Sequence, residues 1–158
     1  MRKLIVAQRL PSMGGASRQR LIDVFWELCV QIHKQTEAER LQQIKAGMPG
    51  ELVMATSATF NLGKEHLVLL FNASLPTLKR RQLQNKFLDS VASERLDRIA
   101  FMCQQALLVF ESRETAASWM SVPNAACGHR APVLLCVTEI GAQQVRRVLN
   151  ALEWGGAV

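Results

Sequence analysis

Within one short stretch the chain gathers the side chains that grip anions. Leu75–Lys86, LPTLKRRQLQNK, carries Lys79, Arg80, Arg81 and Lys86 with no acid among them. At 3.6 residues per turn, Leu75, Leu78 and Gln82 share one side, and Thr77, Arg80, Arg81 and Gln84 share the other. Two guanidinium groups beside a hydroxyl and an amide can bond bidentately to guanine edges or to phosphates. Lys79 leans towards the apolar side of the wheel and Lys86 lies near the helix end, so both suit phosphate better than base contact. A solvated basic face is the plainer reading of the same residues, and the spacing leaves both open.

Other chemistries lack their residues. There is no Gly-rich phosphate loop, no G-x-S-x-G and no H-E-x-x-H. His33, His66 and His129 lie tens of residues apart, none with a deliberate Cys or Ser partner, and tyrosine is missing. The reading is therefore not an enzyme, and no cofactor is expected. Cys29, Cys103, Cys127 and Cys136 show no C-x-x-C spacing and no evident set of four zinc ligands. They read as reduced thiols in a reducing compartment, hence a cytoplasmic protein. A net charge of +6 tilts the partner towards an anion such as nucleic acid. With 49% apolar and 20% charged residues the chain can bury a core and stay soluble. No apolar run reaches the ~18 residues of a membrane span.

The elements that must hold the basic stretch are helical. Residues 1–17, ending Pro11–Ser17, read as a flexible leader. From Arg18 to about Lys45 the pattern is one helix, with Leu21, Phe25, Leu28, Cys29 and Ile32 in a stripe that Trp26 widens and Leu41 and Ile44 continue. That stripe either packs on the body or forms a self-association surface. Gly47–Gly50 stops the helix. Short helices follow over 51–60, 64–71 and 75 to about 85, the last two joined by the turn Asn72-Ala73-Ser74 with Ser74 as N-cap. A helix, a three-residue turn and a second helix is the spacing of a helix-turn-helix. The cleanest stripe, Leu96, Ile99, Ala100, Cys103, Leu107 and Phe110, marks a central helix from Ser90 to Phe110. Arg95 and Arg98, with Glu94 and Asp97, lie off that stripe and read as solvated surface.

The last third is dense with local instructions. A short helix over Thr115–Met120 carries Trp119. Turns follow at Pro123-Asn124 and Cys127-Gly128-His129, then Pro132 and the apolar Val133-Leu134-Leu135. A final helix after Thr138 places Val145, Val148, Leu149 and Leu152 on one face and ends Glu153-Trp154-Gly155.

These residues resemble the antitoxin family described as Xre/MbcA/ParS. The order Trp119, Pro123-Asn124, Gly128, Pro132, Leu134-Leu135, Thr138-Glu139, Gly141 and Glu153-Trp154-Gly155 is similar to the family's C-terminal toxin-binding module. Upstream, Thr77–Arg81 resembles its recognition helix, and Leu88 with Ser93–Leu96 the start of its long helix. The likeness runs over roughly residues 47–155. Departures are Cys127 for the first Gly of a Gly-Gly turn, Ala131 for Thr, Glu94 for Asp and Trp154 for the usual tyrosine.

The resemblance implies an all-α fold, with an Xre-like helix-turn-helix body and a small helical toxin-binding module. It implies segments 1–46 (leader and helix, possible dimerisation), 47–92 (DNA binding) and 93–158 (core helix and toxin-binding domain). The partner would be a RES-domain toxin that consumes NAD, and the antitoxin would cover its active-site entrance and repress their operon, as a homodimer on operator DNA. Toxin contacts would fall to Arg95, Trp119, Asn124, Arg130, Glu153, Trp154 and Gly155. DNA contacts would fall to Thr77, Lys79, Arg80, Arg81, Gln84 and Lys86. The alternative is a stand-alone helix-turn-helix regulator whose C-terminal module only dimerises.

Overall fold

A computed structural model describes residues 15–155, all helix and connecting turn with no strand among them. The fold is all-α, as the periodicities predict. The helices are α1 (Gly15–Lys34), α2 (Glu37–Ala46), α3 (Leu52–Phe60), α4 (Lys64–Phe71), α5 (Leu75–Leu83), α6 (Ser90–Phe110), α7 (Arg113–Ser121), α8 (Pro132–Leu135) and α9 (Glu139–Glu153). The leader expected over 1–17 lies outside the described residues up to 14, and from Gly15 the chain is already helical.

The first helical pattern is two helices, not one. Thr36 accepts from the Glu39 amide at 3.2 Å while the Glu39 carboxylate accepts from the Thr36 amide at 2.7 Å. This capping box starts α2 afresh. The stripe does not continue across the break, and Leu41 is 60% exposed. Before the break the stripe packs on the body, since Phe25, Trp26, Leu28, Cys29 and Ile32 are all buried against α3 and α6. Phe25 meets Phe60 edge to face, 5.1 Å between ring centres. Each such fully buried side chain contributes roughly 1.5–3 kcal/mol.

α6 is the axis of the molecule. Its buried Leu96, Ile99, Ala100, Cys103 and Ala106 belong to one continuous core that also takes side chains from α1, α3, α4, α7 and α9. Asp89 caps it, accepting from the Ala92 amide at 2.8 Å. α7 begins two residues earlier than expected because Ser112, not the turn after it, is its N-cap. α5 stops at Leu83, and Asn85 turns back at φ 49°.

Gly47, Gly50 and Gly141 are the close approaches. A Cβ on Gly141 would overlap the carbonyl of Leu135, so only glycine lets α9 start against the end of α8. Thr138 caps α9, accepting from the Gly141 amide at 3.0 Å.

Candidate functional site

The basic stretch sits on a helix-turn-helix. Asn72 adopts the left-handed conformation at φ 48°, ends α4 and lets α5 begin at Leu75 after Ser74. The Ser74 hydroxyl accepts from the Thr77 amide at 3.4 Å and donates to the Thr77 hydroxyl at 3.0 Å. Leu67, Leu70, Phe71 and Leu78 bury the inner faces of the pair. The outer face is what the structure divides. Lys79, Arg80, Gln84 and Lys86 are exposed. Arg81 is half-buried and donates to Asp89 at 3.3 Å, the same carboxylate that caps α6. Thr77 is half-buried and turned to its cap.

The wheel leans Lys79 towards the apolar side, yet it is exposed, because only Leu78 and part of Leu75 reach the core from this short helix. Arg81, placed beside Arg80 on the wheel, lies a further 100° round the helix. That rotation carries it to Asp89, a residue no local pattern includes.

The charged group at the start of α6 is not solvated surface. Asp97 is 5% exposed and takes two bonds from Arg40 of α2, at 3.1 and 2.6 Å. The Arg40 guanidinium also lies 4.4 Å from the centre of the Phe101 ring. Arg98 donates to the carbonyls of Cys136 and Val137 at 3.0 and 3.1 Å, and pairs with Glu94 and with Glu139 of α9. It satisfies the end of α8 and ties the last two helices to α6. Arg95 reaches across to α4, donating to the Leu69 carbonyl at 2.7 Å.

The C-terminal module is built from its turns. Trp119 is half-buried and lies against Phe110, 5.6 Å between ring centres. The Asn124 side-chain oxygen accepts from the Cys127 amide at 3.0 Å and starts a single 3-10 turn, Ala125–Cys127. Gly128 and His129 both take positive φ, 63° and 59°, and the loop closes where the Asn124 amide donates to Arg130 at 3.4 Å. Arg130 projects to solvent. α9 buries Val145, Val148 and Leu149 and exposes its end, where Trp154 is 85% accessible.

Residues 105–155, from the last turns of α6 to just past the end of α9, match the family described as the antitoxin Xre/MbcA/ParS C-terminal toxin-binding domain. The likeness to that antitoxin family lies in the last third of the chain. The chain is also similar to a protein named "Antitoxin Xre" from Yersinia enterocolitica, 27% identical over 116 residues. That likeness covers 73% of this chain and 78% of the relative, so it reaches beyond the toxin-binding domain.

In the structure the seven expected toxin contacts separate into two groups. Arg95, Trp119 and Asn124 have their polar groups or rings engaged within the fold. Arg130, Glu153, Trp154 and Gly155 face solvent. Sequence reasoning missed Ile140, which is 80% exposed in the first turn of α9. The available signal was an apolar residue off the Val145–Leu152 stripe.

The four cysteines are buried free thiols. Burial raises the Cys103, Cys127 and Cys136 thiols, the last to about 12, so these three stay protonated at neutral pH. They behave as small apolar side chains rather than nucleophiles. No described helix is long and apolar enough to cross a membrane.

Proposed function

We propose that this antitoxin neutralises a RES-domain, NAD-consuming toxin through the outward residues of its C-terminal domain, and represses its own operon through α5. The observation that carries the first part is Trp154, 85% exposed at the C-terminal cap of α9 inside the matched toxin-binding domain. An indole left in water costs free energy that a partner pocket recovers, and Trp and Arg supply most interface anchors. Glu153, Gly155 and Arg130 flank or accompany it on the exposed side, with Ile140 as an added apolar contact. Arg95, Trp119 and Asn124 act by holding the module in shape.

Operator binding rests on Arg80 for base or phosphate contact, with Lys79, Gln84 and Lys86 around it. Arg81 orients the helix through Asp89, and Thr77 serves the cap. The protein works as a homodimer in the cytoplasm, without catalysis of its own or a cofactor, and residues 1–46 contribute to dimerisation through the surface around exposed Leu41.

Co-expression with the RES toxin encoded beside it tests this directly. The proposal expects rescue of growth and a complex that co-purifies. Lethality with no complex formed overturns the neutralisation reading. Operator binding retained with no toxin partner supports instead the stand-alone regulator.

A further inference from the structure

Between the start of α4 and the loop that opens the C-terminal module lies a cleft of about 340 Å³. This is within the size range of small-molecule sites. Its polar lining includes His66, His129 and Arg130, and no Asp or Glu. Three other clefts carry acids: Asp23 and Glu114 in one, Glu27 and Glu39 in a second, and Glu94, Asp97 and Glu139 in a third. Glu65, next to His66 in sequence, is outside the lining. Arg130 makes no ion pair or side-chain hydrogen bond among the described residues, in contrast to Arg40, Arg81 and Arg98. The floor and wall are apolar, from Leu62, Pro123 and Leu134. α4 also begins here at Gly63 without a side-chain cap, with Glu65 in its first turn.

We propose that this cleft binds a small organic anion, its phosphate or carboxylate held by His66, His129 and Arg130 and its apolar part against Leu62, Pro123 and Leu134. The chemistry follows from the donors. A guanidinium grips two oxygens of either group in a fork, and an imidazole donates an N–H even when neutral. Two such residues come from the loop of the toxin-binding domain and one from the helix-turn-helix, so an occupant touches both modules. The inference does not depend on the toxin reading, because its probes are small molecules and its material is the purified chain.

The experiment titrates the full-length protein with phenyl phosphate, benzoate and neutral phenol, following the imidazole resonances of His66 and His129. Saturable shifts are expected with one or both anions, at a dissociation constant on the order of 1 mM or tighter, and none with phenol. Which anion binds separates phosphate from carboxylate ligands. Arg130→Ala weakens binding about tenfold, the loss of one charge-assisted bond. Arg147→Ala, exposed on α9, leaves it unchanged. Arg130 is solvent-facing, so its variant keeps the parent's melting temperature. Absence of saturation, or equal binding by Arg130→Ala, overturns the proposal. So does binding that spares both histidines and disappears in Arg80→Ala, which places the anion on α5. Loss of toxin capture in Arg130→Ala with no anion bound makes the cleft a protein contact and overturns it as well.

Discussion

The helix-turn-helix and the C-terminal module both present exposed side chains on short capped helices, but they hold them in different ways. In the C-terminal module the fixing contacts are local. Asn124 bonds three residues on to Cys127, Thr138 three residues on to Gly141, and the exposed end of α9 simply follows its buried stripe. In the helix-turn-helix the outer face is sorted by a contact from beyond the helix. Asp89 takes Arg81 and leaves Arg80 facing water. Two adjacent arginines thus have separate tasks, and a wheel alone cannot distinguish them.

Breaking the local scheme gives the largest expected effect. Gly141→Ala pushes a methyl into the Leu135 backbone and must part α8 from α9. A loss of about 2–4 kcal/mol is expected in urea denaturation. Next is Arg40→Ala, which strands buried Asp97 and removes a cation from the Phe101 ring. A loss of about 3 kcal/mol of stability is expected, and Asp97→Asn should recover none of the pairing.

The two arginines sharpen the comparison. Arg80→Ala should weaken operator binding by roughly 1–3 kcal/mol with the melting temperature unchanged. Arg81→Ala should cost less than ~1 kcal/mol of stability, since its pair is partly exposed, and should affect DNA binding less than Arg80→Ala. Equal effects on DNA from both would restore the undivided basic face.

The smallest effect concerns the shared core. The Cys136 thiol, ordinarily at 9.0, is pushed to about 12 by burial. Below pH 9 folded and unfolded chains both keep the proton, and this contribution to stability is whole. Between 9 and about 12 the unfolded thiol ionises first, so stability falls as pH rises. Urea midpoints across that range should fall less steeply in Cys136→Ala.

Much of the fold was legible because its boundaries are local. Gly63 and Asn72 frame α4, and Asp89 and Glu111 frame α6, so both helices run over the residues that their periodicity predicts. Ser74 and Thr138 cap the helices that follow them for the same reason. The break at Thr36 was written in Thr36 and Glu39, but Leu41 and Ile44 kept the apolar count alive and disguised it. What no window could contain were the long reaches. Arg40 to Asp97 spans 57 positions, Arg98 to the Cys136 carbonyl 38, and Arg95 to the Leu69 carbonyl 26. Each converts a charge that reads as surface into a fastening between helices. The same distance hides the cleft at Arg130, whose His66 comes from another module.

The central claim is that the exposed end of α9 is the toxin-contacting surface. Its most direct test compares toxin affinity of the parent chain and of Trp154→Ala, on purified proteins with matched melting temperatures and operator binding. The account predicts a loss of about 2 kcal/mol or more in toxin binding, with DNA binding intact. Unchanged toxin affinity in the folded variant would contradict it.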